Sequence, residues 1–118
     1  MKDKLSYIEI DDKKYPMAFN LNVMEELQEK YGSISAWGEV VEGNGTEPKI
    51  KDLKVGLELM INEGIDIENE TREEKEPLLN SKQIGRLLSK VGFVEITNKI
   101  KELTVMSTRV EEDEEKNV

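Results

Sequence analysis

Tyr15, Met17 and Phe19 alternate with smaller or polar residues, which is the period of a strand. A few residues on, Met24, Leu27 and Tyr31 recur at spacings of three and four, which is the period of a helix. The change of period near Asn20 predicts a strand that feeds directly into a helix. Before it, residues 6–10 read as a first strand, with Ile8 and Ile10 on one face. Asp11, Asp12, Lys13 and Lys14 form a polar turn, and residues 15–19 return as the second strand. Pro16 has no N–H for a ladder, which places that strand at an edge. A lone hairpin is marginal in water, so segment 5–19 must pack on a helix or on a partner.

The first helix is expected over about 21–31. Asn22 precedes Glu25 at capping-box spacing, and Asn20 competes with it as N-cap. Gly32 takes the position that follows a helix end. Ser33 or Ser35 caps a second helix, 34–42, carrying Ile34, Trp37, Val40 and Val41, and Gly43-Asn44-Gly45 ends it. Pro48 opens a third helix over 49–63. Ile50, Leu53, Leu57 and Ile61 form its apolar stripe, which Met60 widens. Gly56 lies inside that stripe and costs about 1 kcal/mol relative to Ala, which packing must recover. Gly64 reads as the stop.

Residues 65–80 are rich in Glu, carry Pro77 and lack a clear apolar period, as expected of an exposed connection, with a short helical turn as the alternative. Ser81 caps a fourth helix, 81–91, with Ile84, Leu87, Leu88 and Val91 inward and Gly92 after it. Phe93, Ile96, Ile100 and Leu103 make a fifth, 93–105. After Arg109 the chain has almost nothing to bury, so 110–118 is expected to be a disordered acidic tail. The pattern predicts an α+β, mostly helical fold: an N-terminal β-hairpin and four to five short helices in one compact domain, 1–109.

The length of 118 residues fits one modest core. No apolar run approaches the roughly 20 residues of a membrane span. MKDKLSYIEI lacks the apolar centre of a signal peptide, so the cytoplasm is the expected location. The net charge of -9 opposes binding to nucleic acid or an anionic membrane. The chain has no Cys and no His. Disulfides, thiolate metal sites, Cys nucleophiles, His-based acid–base catalysis and the common zinc sites are therefore excluded.

Carboxylates, Lys, Tyr and hydroxyls remain for chemistry. Glu25, Glu26 and Glu29 read as a solvated helix face. Glu70, Glu73, Glu74 and Glu76 lack the alternating ligands and turn glycine of a calcium loop, and read as a charged linker. No catalytic, cofactor-binding or metal-binding residues are expected, and no cofactor. Trp37 can be core or an interface anchor, and a single Trp on a helix face is more often core. Edge-strand and aromatic reasoning makes Tyr15, Met17, Phe19 and Trp37 the candidate protein contacts.

The stretch from Ile8 to Tyr15 (IEIDDKKY) leads into the stretch from Phe19 to Ile34 (FNLNVMEELQEKYGSI). A hairpin with an aromatic residue, a Leu- and Glu-rich helix ending at Tyr-Gly, a central apolar helix and a Glu-rich end resemble the tail assembly chaperones of long-tailed phages of Gram-positive hosts. The similarity covers about residues 5–118 and rests on apolar patterning. It implies a non-catalytic protein of the bacterial cytoplasm that coats the tape measure protein until tail tube subunits displace it, and that is absent from the mature virion. The implied partners are the tape measure protein and the tail tube protein, and self-association stays open. Many such chaperones also exist as frameshifted fusions, and Glu115-Lys116-Asn117 is compatible with an A-rich slippery codon run. The net charge supports an alternative of another class, a small acidic regulator that masks a basic surface on another protein.

Overall fold

The computed structural model describes residues 5–43, 47 and 49–116, with side chains through residue 105. Among the described residues, one antiparallel hairpin precedes five helices. Strand β1 spans Ser6–Ile10 and β2 spans Lys13–Met17, paired in the register Ile8 to Tyr15 and Ile10 to Lys13. The four-residue turn and the 15–19 strand expected from sequence are corrected here. The loop is only Asp11-Asp12, and β2 starts two residues earlier. Both aspartates have positive φ, 51° and 65°, as a two-residue hairpin loop of type I′ requires. Asp tolerates this left-handed region better than most residues do.

Helix α1 spans Leu21–Tyr31, and Asn20 wins the competition for its N-cap by accepting from the Val23 N–H. Helix α2 spans Ile34–Glu42, with Ser33 accepting from the Ala36 N–H and Gly43 left-handed at the far end. Helix α3 spans Ile50–Asn69 and runs through Gly64 instead of stopping there. It buries Leu53, Leu57, Met60, Ile61 and Ile65, so the expected connection 65–80 begins as helix. Helix α4 spans Ser81–Val91. Its N-cap is Asn80 rather than Ser81, in a reciprocal capping box with Gln83.

Helix α5 spans Phe93–Lys116, past the expected end near Val105. Glu and Lys are good helix formers, and no Gly or Pro interrupts them, so the backbone ladder persists after the apolar period ends. The expected tail 110–118 lies outside the residues whose side chains are described. Its backbone is helical through Lys116.

One buried cluster draws on the hairpin and all five helices, including Ile10, Met17, Leu27, Trp37, Ile84 and Ile96. Helix α3 lies at its centre and meets β2 and each of the other helices. The Ala18 N–H donates to the Met60 carbonyl at 3.0 Å, tying the hairpin exit to the middle of α3. Burial of such side chains at about 25 cal/mol per Å² is the main force holding the hairpin, which is too small to stand alone.

Two asparagines on α3 hold the 70–80 connection. Asn62 gives its amide N–H to the Leu79 carbonyl at 2.9 Å and accepts from the Leu79 N–H at 2.8 Å. Asn69 does the same with Glu76, at 2.9 Å in each direction. The two are seven residues apart, two turns on one helix face. Each side-chain amide substitutes for a peptide group, so the connection is strapped along α3.

Candidate functional site

The four candidate contact residues are largely internal. Met17 is fully buried, and Phe19 and Trp37 are about 5% and 4% exposed. The expectation that these three form a contact surface is corrected. Residues 16–19 are all buried where the end of the hairpin meets α3, so edge position and aromatic character pointed inward. Tyr15 is half-buried against the core, with the Lys13 ammonium 5.2 Å from its ring centroid. The structure does not gather the four into one surface.

Trp37 shapes a groove without being exposed on it. Its indole N–H donates to the Asp52 carbonyl at 3.0 Å, satisfying the one polar atom of the ring. The ring rests on Gly56, where an added Cβ would approach it to 2.2 Å. The close fit that Gly56 permits is the packing that offsets its poor helix propensity.

Above Trp37, α2 and α5 stand apart. Between them lies an open groove of about 420 Å³ over Trp37, Val41, Leu53 and Ile100. Ser35 and Gly38 on α2, and Thr97 and Thr104 on α5, are too small to close it. An added Cβ at Gly38 meets nothing within 4 Å. Lys101 pairs with Glu42 across one edge at 3.1 Å, and both side chains are more than half exposed, so the pair adds little stability. Val105 stands 50% exposed at the rim. The apolar floor, small-residue walls and polar edges fit a hydrophobic helix ridge. Sequence reasoning missed this site. Its signal was the pair of small residues at helical spacing from the apolar stripes, Gly38 beside Val41 and Thr97 beside Ile100.

Glu25, Glu26 and Glu29 lie exposed on α1, and Glu70, Glu73, Glu74 and Glu76 along the strap. Glu63 accepts from the amides of Asn20 and Asn22 at 2.7 and 2.9 Å, which joins the start of α1 to α3. Among the described residues no group of three or more carboxylates is placed to hold a metal ion. No helix is long and apolar enough to cross a membrane, again among the described residues.

Two tyrosines have raised pKa values for structural reasons. Burial, then a 2.5 Å hydrogen bond to the Asp52 carboxylate, raises the Tyr31 phenol well above its ordinary value. Tyr7 is raised chiefly by its 2.8 Å hydrogen bond to Glu68. Each bond links a peripheral element to α3 and leaves the hydroxyl as a donor.

No protein-family model matches the chain, and neither the curated proteins nor the solved structures give a match.

Proposed function

We propose that this chain is a phage tail assembly chaperone that holds the tape measure protein in the host cytoplasm until the tail tube polymerises around it. The role is non-catalytic, and the chaperone is absent from the finished particle. The observation that supports this reading is the open α2–α5 groove, an apolar trough on an otherwise strongly charged protein. A long helical tape measure exposes apolar stripes before it is enclosed, and such stripes aggregate unless they are covered. A groove without deep enclosure favours contacts that form and release readily, as displacement by tube subunits demands. The sequence resemblance supports the same reading.

The test is co-expression with the tape measure protein encoded downstream, followed by co-purification at low and high salt. The long protein is expected to become soluble and to stay bound at high salt, because apolar contacts are not screened. Gly38→Leu is expected to fill the groove without loss of stability, since the position is open and Leu is the better helix former. It should release the tape measure. An insoluble tape measure that never co-purifies would overturn the proposal. Binding that disappears steeply with salt and ignores Gly38→Leu would favour the alternative, an acidic regulator of a basic surface.

A further inference from the structure

A second groove, of about 630 Å³, lies among the first turns of α3, the outer face of α4 and the start of α5. Its character is opposite to that of the chain as a whole. Lys54, Lys82 and Arg86 line it, and no carboxylate does among the described residues. None of these three cations is in an ion pair or a hydrogen bond with a described residue. The Lys54 stem lies over Gly85, with its ammonium 3.3 Å from where a Cβ would stand, so the missing side chain brings the charge into the groove. Ile50 and Phe93, which sequence periodicity assigns to the core, flank the groove at 46% and 42% exposure. The N-cap of α3 is Lys49, without a side-chain hydrogen bond, so the positive end of the helix dipole adds to the field.

We propose that this groove receives the acidic C-terminal segment 110–115 of a second copy of the chain. The chain supplies a complementary ligand: residues 111–115 read EEDEE, preceded by Val110 and Met106. In sequence, five consecutive acidic residues match the three cations, and the apolar Met106 and Val110 before them match Ile50 and Phe93. The net charge of -9 opposes the approach of any polyanion, a second copy included, so the contact rests on the local match between groove and segment.

The contact must be between molecules. Helix α5 is continuous over Phe93–Lys116. The groove sits at its first residue, and residue 111 lies about 27 Å further along the axis. The segment cannot return to its own groove while α5 stays helical. A ligand at one end of a helix and its receptor at the other make a head-to-tail contact, which propagates into chains or closes into rings. This inference does not depend on the tape measure reading, and its test uses the chain alone.

Sedimentation velocity on the full chain, from about 5 to about 500 µM at low salt, reads the outcome. The weight-average mass is expected to rise with concentration and to fall back when salt is raised to about 0.5 M. Lys82→Glu with Arg86→Glu reverses the groove at exposed positions. Glu111→Lys, Glu112→Lys, Glu114→Lys and Glu115→Lys together reverse the segment. Each reversal is expected to weaken association about tenfold or more, and an equimolar mixture of the two should associate again. Lys14→Glu with Lys30→Glu makes the same change in net charge elsewhere and should leave association intact. A wild-type monomer at every concentration would overturn the proposal. So would a groove variant that associates like wild type, or a control that loses association equally.

Discussion

At Gly64 an added methyl group would stand 2.7 Å from the Pro16 carbonyl and 2.9 Å from the Met17 nitrogen, both backbone atoms that cannot move aside alone. Gly64→Ala is expected to lower stability by about 3 kcal/mol, read as a fall in the urea midpoint. An unchanged midpoint would mean that strand and helix part without cost. Sequence reading took this glycine for a helix stop, because a residue without a side chain serves equally as a terminator and as a seat for a neighbouring backbone. Only the neighbour distinguishes the two, and it lies far away along the chain. Gly56 was read more accurately, since its place inside an apolar stripe already implied a compensating contact. Tyr31 makes a pH prediction. Its folded pKa is raised, so its contribution is complete below the unfolded value of about 10 and fades as pH rises toward the folded one. Tyr31→Phe should therefore cost about 1 kcal/mol at neutral pH and make the alkaline loss of stability shallower. An equally steep alkaline decline in the variant would assign that loss to other groups.

Among the elements, the hairpin and the five helices were legible because each carries its own period and at least one end signal. The ends were less so. Asn20 and Asn80 displaced Asn22 and Ser81 as caps, and the losing candidates had the same local chemistry. The strap was hidden, because a polar segment with no apolar period looks the same whether it is loose or pinned. Its anchors Asn62 and Asn69 announce themselves only by spacing. Asn69 is 8% exposed and satisfied on both sides of its amide. Asn69→Ala is expected to cost about 2 kcal/mol and to make the 70–80 segment the first site of proteolytic cleavage. A cleavage pattern identical to wild type would show that Asn62 and Leu79 hold the strap unaided. The α2–α5 groove was hard to read for a related reason: gaps between helices are made by small side chains, and Gly38 and Thr97 stand out only once the neighbouring apolar stripes are placed.

For the whole molecule, charge and connectivity matter together. A net charge of -9 on a small fold is self-repulsive, so added salt should raise the melting temperature by a few degrees before other ion effects enter. A melting temperature independent of salt would show that the surface charges are already balanced locally. The Lys90 and Asp11 pair at 2.7 Å, joining α4 to the hairpin tip, is exposed and adds little to that balance. The hydrogen bond from Ala18 to Met60 has a further consequence, for the order of assembly. It closes a loop of chain that holds all of α1 and α2. Closing so long a loop costs entropy, and local helices form faster than distant contacts. The seam between the hairpin and α3 is therefore expected to consolidate after the folding barrier. Stopped-flow measurements on a mild seam variant such as Met17→Leu should show faster unfolding with an almost unchanged refolding rate. Slower refolding would instead place the clasp inside the nucleus.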